Sequence, residues 1–308
     1  MNILMIGHSG SGKTTYMGGL YKLYGDDPNG FGLWTGDSGK RRRLQELSNR
    51  VANGIYPSGT DIAEEYNFWL QYDNKLLIPF NWFDYRGGAL TESSKYSKDA
   101  EELIRRIENA DALIVFLDGA KIVNMTEDEL EDEYETLVWC IQKAISKRAV
   151  DNHYFPVSFI ITKGDLYDSY EALYGSPGLE YFMPIVENIA KSKVSAGMIG
   201  VIEVSSAGMF NIPAPLMFSL YYGMHHYIAE RERNINSEVD KYNSLDPGVF
   251  DDIFSSVLGV DSDRKKAQEC IKKVEEEEES RLEMLESLGK ILEEYLADLE
   301  KKDHILKF

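Results

Sequence analysis

The segment Gly7-His8-Ser9-Gly10-Ser11-Gly12-Lys13-Thr14-Thr15 follows the apolar run MNILMI directly and constrains the fold more than any other stretch. It satisfies G-x-x-x-x-G-K-[ST] at every defined position. The spacing has a mechanical reason. Glycines let the backbone curl so that successive N–H groups point inward at anionic oxygens, and the helix that follows adds its positive N-terminal end. Lys13 is placed to reach the β- and γ-phosphates of a nucleotide, and the Thr14 hydroxyl to ligate Mg²⁺. The flanks are those the loop requires, a strand before it and a helix predicted over Lys13–Tyr24 after it. All nine residues are candidate nucleotide-binding residues, and Lys13 is also a candidate catalytic group.

From the N-terminus to about residue 235, apolar runs alternate with helical patterns. This predicts an α/β fold with three layers and a mostly parallel sheet. The strand-like runs are residues 2–6, 66–72, 75–83, 112–117, 157–161 and 199–204. Asp73-Asn74 between the second and third is a hairpin turn signal, so one antiparallel edge strand is expected. Helical patterns fill residues 39–53, 127–148, 179–193 and a stretch from Pro215 to about Asn243. The first domain is read as residues 1–235, with an insertion at about 26–56.

Beyond the break at NSLDPGVF, residues 236–308 read as a linker and a charged helical extension. Leu285, Leu288, Leu292, Tyr295 and Leu299 keep a 3-4-3-4 spacing. The seam covers about two heptads before Arg281 and Glu278 interrupt it. A helix folded back on the globular domain is expected, with a self-pairing homodimer as the alternative.

Composition narrows the partners. The 33 basic and 52 acidic residues give a net charge of −19, a surface that repels phosphate backbones, so nucleic acid is not an expected partner. The one compact basic cluster is Lys40-Arg41-Arg42-Arg43. No run of about 18 or more uncharged apolar residues is present to span a membrane. The N-terminus reads as a strand and not as a signal peptide. The two cysteines, Cys140 and Cys270, lie outside any metal or disulfide pattern, which fits a cytoplasmic protein. His153, His225, His226 and His304 show no metal-ligand spacing.

Three later motifs follow the phosphate loop in order. Asp84-Tyr85-Arg86-Gly87 ends the run KLLIPFNWF. An acid at that strand end can hold Mg²⁺, and Gly87 would let a backbone N–H approach a γ-phosphate. The run FPVSFIIT ends in Thr162-Lys163-Gly164-Asp165, which resembles the [NT]-K-x-D motif of GTPases. A carboxylate at Asp165 can accept from both guanine N1–H and N2–H₂, a pair of donors that adenine lacks, so the wrong base leaves a buried charge unpaired. The Lys163 stem can lie over the base, and threonine stands at Thr162 where asparagine is commoner. Ser205-Ser206-Ala207-Gly208 resembles the S-A-x loop whose backbone contacts guanine O6, with Ser206 and Ala207 as the contact residues.

In this order the motifs resemble the Ras-like, translation-factor-related class of P-loop GTPases over residues 1 to about 230. The helix ending in G-x-[YW]-P-x-x-T, here GIYPSGT over residues 54–60, looks like the prokaryotic double-GTPase-type domains. The resemblance implies GTP and GDP as ligands with Mg²⁺, hydrolysis to GDP, switching behaviour and a protein effector or activator. It places Thr60 as the switch threonine that closes on Mg²⁺, so the metal set is Thr14, Thr60 and Asp84, and Lys13, Thr60, Arg86 and Gly87 are the candidate catalytic residues. The chain departs from the class at Gly88, where a water-orienting glutamine is usual. Hydrolysis is therefore expected to be slow unless an activator or an internal arginine (Arg41, Arg42, Arg43 or Arg86) assists. His8 is read as a packed loop residue in preference to a catalytic one. The alternatives are a P-loop ATPase and a weakly hydrolysing interaction module.

Overall fold

Strand β1 (Asn2–Gly7) runs through the middle of an eight-stranded sheet of order β2-β3-β4-β1-β5-β6-β7-β8. The structure is a computed structural model that describes residues 1–25, 31–57, 63–72, 75–85, 96–148, 155–166, 176–191, 199–223, 264–302 and 305–307. The other strands are β2 (Phe31–Trp34), β3 (Glu64–Tyr72), β4 (Lys75–Asp84), β5 (Ala112–Asp118), β6 (Val157–Thr162), β7 (Ile199–Glu203) and β8 (Ile305–Lys307). β1 pairs in parallel with β4 and β5, and β6 and β7 continue the parallel series. β5 and β6 are buried at every position, as continuous apolar strands with both faces covered must be.

The mostly parallel sheet is as expected, with additions at both edges. β3 is the antiparallel strand, but β2 from the insertion pairs outside it. At the other edge β8 adds antiparallel to β7, with Ile305 opposite Ile202. Neither four-residue β2 nor three-residue β8 carries enough alternation to read as a strand in advance. The Asp73-Asn74 turn lies outside the described residues.

Helices cover both faces. On one lie α3 (Lys98–Glu108), the short α4 (Gly119–Asn124), α5 (Glu127–Arg148) and α6 (Pro177–Ala190), whose apolar stripes meet Leu113, Val115, Phe159 and Ile161 of the sheet. On the other, α1 (Lys13–Tyr24) sets Tyr16 against Trp82 and Phe116, with ring centroids 6.2 and 5.2 Å away. The insertion helix α2 (Ser38–Ala52) packs on α1 so closely that a Cβ at Gly18 would stand 2.8 Å from Val51 Cγ2. Asp37 caps α2 by accepting from the Gly39 and Lys40 N–H groups. A further helix, α7, covers residues 214–223.

The chain forms two compact units, Met1–Gly223 with Leu292–Phe308, and Met224–Ile291. Helix α8 (Arg264–Lys301) contributes to both. Within the first unit its last turns bury Leu292, Leu296 and Leu299. Leu285 and Leu288, in the second, are also buried in the single chain. Leu296 is buried more fully than Tyr295, so the covered stripe follows the helix and departs from the heptad spacing. The boundary expected near residue 235 lies outside the described residues. Among the described residues no helix is long and apolar enough to cross a membrane.

Candidate functional site

The phosphate loop owes its shape to two left-handed glycines. Gly10 has φ +80° and Gly12 φ +92°, a region that residues with a Cβ rarely adopt. Between them the Ser11 N–H donates back to the His8 carbonyl at 3.2 Å. Lys13 lies over the curl and donates from Nζ to the Gly7 and His8 carbonyls at 2.7 and 3.1 Å. It is buried, and burial lowers its pKa against the pull of the nearby Asp84 carboxylate.

Asp84 ends β4 beside β1, in register with Met5. Burial pushes its carboxyl up to about 6; Lys13 opposes the rise and Glu64 adds to it. The Thr14 hydroxyl hydrogen-bonds the same carboxyl. Its Oδ1 is buried with no hydrogen-bond partner. An orphaned carboxylate oxygen, a threonine hydroxyl and a lysine at one point form an all-oxygen donor set with a compensating charge, which fits a hard divalent cation held together with phosphate oxygens.

The far end of the site comes from the loops after β6 and β7. Thr162 Oγ1 lies 2.9 Å from the Ser11 carbonyl and 3.0 Å from that of Leu117, so it ties the phosphate loop to β5. Lys163 takes φ 60°, and its Nζ donates to Asp118 Oδ2 at 2.5 Å. The Ser205 hydroxyl donates to Asp165 Oδ1 at 2.6 Å and accepts from the Gly208 N–H at 2.9 Å. The carboxylate is thereby held in place by the loop that carries Ser206 and Ala207.

One cavity of about 430 Å³ joins the two ends. Of the expected residues it is lined by Ser9, Gly10, Gly12, Lys13, Thr14, Thr15, Thr162, Lys163, Asp165, Ser206 and Ala207. Three of its walls were not expected: Tyr56 and Pro57, which follow α2, and Leu166, next to Asp165. Gly7 and Ser11 are buried and do not line it. The His8 side chain turns away from it, with its ring 4.9 Å from Tyr134 and its Nδ1 3.1 Å from Glu133 Oε1. That placement matches a packed residue, and His8 can serve a ligand only through its main chain.

The arginine candidates are engaged elsewhere. Arg41 donates to the Thr35 carbonyl at 2.5 Å, Arg42 faces Glu46 at 3.6 Å and Arg43 faces Glu64 at 3.7 Å. None of the three lines the cavity. Thr60, Arg86, Gly87 and Gly88 lie outside the described residues, as do His153, His225, His226 and His304.

The strand–loop–helix cradle, the acid at the neighbouring strand end and the shared cavity are those of the P-loop NTPase fold. Residues 4–148 match the family model described as Double-GTPase 1. Among solved structures the chain is similar to translation elongation factor SelB from Methanococcus maripaludis, determined in complex with the GTP analogue GPPNHP, at 14% identity and a TM-score of 0.33. The match covers 70% of this chain and 31% of that one, so the chain spans about a third of the elongation factor's length. No curated protein matches the sequence.

Proposed function

We propose that the chain binds GTP with Mg²⁺ in this cavity, hydrolyses it slowly to GDP, and acts as a nucleotide-dependent switch read by a protein effector or accelerated by an activator. The observation that carries the proposal is the joining of Lys13 and Thr14 with Lys163, Asp165, Ser206 and Ala207 in one cavity. A loop that holds phosphates and a carboxylate that selects guanine are useful together only for a guanine nucleotide.

Each residue then has a task. The loop N–H groups from Ser9 to Thr15 would hold the α- and β-phosphates, and Lys13 would leave its own loop carbonyls for the β- and γ-oxygens. Thr14 and Asp84, with Thr60 from the neighbouring loop, would hold Mg²⁺, which when bound neutralises charge on the β- and γ-phosphates. Asp165 would accept from guanine N1–H and N2–H₂, with the Lys163 stem over the base. Gly87 would offer its N–H to the γ-phosphate, and Arg86 is the arginine candidate closest in sequence to that point. The switch lies in the 54–60 and 84–90 segments, which the γ-phosphate would order and hydrolysis release. Its setting is the cytoplasm, where the buried thiol of Cys140 stays reduced.

A fluorescent GDP analogue tests the reading directly. GTP and GDP should displace it, ATP should not at a hundredfold higher concentration, and Lys13→Ala should fail to bind it while keeping its circular dichroism. Phosphate release should require MgCl₂ and remain slow for the chain alone. Equal displacement by ATP would favour the ATPase alternative. Guanine-specific binding with no release over many hours would favour the interaction module.

A further inference from the structure

His8 is an uncommon residue for a phosphate loop, and its surroundings give it a task. Its main-chain carbonyl accepts from the Ser11 N–H at 3.2 Å and from Lys13 Nζ at 3.1 Å. The orientation of that one peptide therefore sets the curl of the loop and the resting place of its lysine. Its ring is buried against Tyr134, and Nδ1 meets Glu133 Oε1 at 3.1 Å. The same oxygen accepts from Lys121 Nζ at 2.5 Å. Glu133 and Tyr134 belong to α5, and Lys121 belongs to α4.

We propose that His8 is a positioning residue, through which Glu133 and Lys121 hold the phosphate loop in its binding curl before a nucleotide arrives. The inference rests on the nucleotide reading above and adds a second set of side chains to it. Phosphate loops owe their shape chiefly to glycine and to main-chain bonds within the loop. Here a side chain inside the loop is latched to a helix outside it. Neutral His8 with hydrogen on Nδ1 donates to the Glu133 carboxylate, and burial keeps the imidazole neutral, with a pKa of about 4. Lys121 donates to the same Glu133 oxygen, which restrains the acceptor. A loop fixed in advance loses less conformational freedom when it closes on phosphates, which slows ligand release as well as strengthening binding.

The same helix also reaches the base-reading end. The Tyr134 hydroxyl accepts from the Asp118 N–H at 3.2 Å, and Asp118 pairs with Lys163. Adjacent residues of α5 thus touch the phosphate loop and the support of the base loop, which places the latch where the two halves of the site are brought into register.

The test is the release of a fluorescent GDP analogue from the full chain, measured at a temperature where every variant is folded by near-UV circular dichroism. Loss of a buried hydrogen bond to a charged acceptor should speed release about tenfold or more. This is expected for His8→Phe, which keeps the ring but not the donor, and for Glu133→Ala. Glu133→Gln retains an oxygen acceptor and should stay within about threefold of wild type. The double variant His8→Phe/Glu133→Ala should release no faster than the faster-releasing single variant, because both remove one latch. If His8→Phe does not fold, the Glu133→Gln and Glu133→Ala pair carries the comparison. Fully additive effects, or a Gln variant as fast as the Ala variant, would overturn the inference. Wild-type chain that holds no guanine nucleotide would sink the nucleotide reading and this inference together, whereas wild-type binding with unchanged release in both Ala and Phe variants would sink the latch alone.

Discussion

Lys163 Nζ stands 2.5 Å from Asp118 Oδ2, which joins the loop after β6 to the last residue of β5. Lys163 has φ 60°, a left-handed backbone that costs a non-glycine residue roughly 1–2 kcal/mol. Something must hold it there. The ion pair does so from the side chain, and the Gly164 N–H, which donates to the Val204 carbonyl at 3.2 Å, does so from the main chain. Asp118 also caps α4 through Oδ1, which accepts from the Ala120 N–H at 3.1 Å.

Asp118→Asn separates these two roles, since asparagine caps a helix about as well as aspartate. The cap should survive and the charge on Lys163 should lose its anchor. We expect guanine nucleotide affinity to fall about fivefold, the effect of about 1 kcal/mol for a partly exposed pair. The melting temperature should barely move. Unchanged affinity in a fluorescence titration would show that the pair is only a surface contact.

Asp165→Asn should weaken guanine binding by about 2–5 kcal/mol. The amide turns a donor toward a donor. It should also make xanthine nucleotides the better ligands, because xanthine presents an acceptor where guanine has its N2 donor. The Ser205 hydroxyl already holds Asp165 Oδ1 at 2.6 Å, so the side chain should keep its position on substitution. Competition between GDP and XDP for wild type and variant decides the point, and a variant that still prefers GDP would remove Asp165 from base reading.

Arg41, Arg42 and Arg43 should each tolerate alanine with less than about a threefold change in GTP turnover. All three are engaged along α2 and its neighbours and none borders the cavity. An arginine finger contributes roughly 10³–10⁵ in rate where it operates. A fall of a hundredfold or more in single-turnover rate at constant affinity would identify whichever of these, or Arg86, moves into the site once nucleotide is bound.

Asp84 ties the reaction to pH. Its carboxyl titrates at about 6, above the usual carboxylate value of 3.8, because it is buried. Below that pH the nucleotide-free carboxyl carries a proton that Mg²⁺ would have to displace, so if Asp84 serves Mg²⁺ as proposed, the Mg²⁺ concentration needed for half-maximal turnover should rise as pH drops from 7 to 5. The stability consequence has the opposite sign. A carboxyl whose folded pKa is raised binds more protons when folded, so its charge burdens the nucleotide-free fold as pH rises from about 4 to above 6. Asp84→Asn should therefore stabilise the nucleotide-free chain at pH 7 by about 1–3 kcal/mol, an effect that fades below pH 4. It should also abolish Mg²⁺ dependence. A variant less stable than wild type at pH 7 in thermal melts would show that the carboxylate is already compensated.

The candidate site is more legible in the sequence at its glycine-rich loop than at its walls. Gly10, Gly12, Lys13 and Thr14 announce themselves because each residue type answers a specific backbone or charge requirement, and α1 and α5 fall where the spacing places them. Asp165 was legible for the same reason. Leu166 is not, because an apolar wall can be made by many residues, and Tyr56 and Pro57, though they fall within the GIYPSGT motif, carry no local sign that they face a cavity. Asp118 follows the strand-like run 112–117 with nothing local to mark it; its pairing with Lys163 depends on β5 and β6 lying side by side, and only the fold supplies that. The short helices and edge strands, α4, β2 and β8, offer too few turns or alternations to produce a periodic signal. His8 is packed, as its place in the loop suggests, but its partner Glu133 lies 125 positions along the chain, beyond any local pattern.

The pairing of β8 with β7 has a consequence for biosynthesis. Strand β7 leads into the loop of Ser205, Ser206 and Ala207, yet its outer neighbour, Ile305–Lys307, is translated only after the whole of the second unit, Met224–Ile291. During translation the nascent chain therefore holds β7 as an open edge, with unpaired main-chain groups, for as long as the ribosome takes to make the intervening residues. Closing a chain segment of that length is slow relative to local helix formation. The interval is when this protein is most exposed to edge-to-edge association with other nascent chains, and truncation before residue 305 would make that interval permanent.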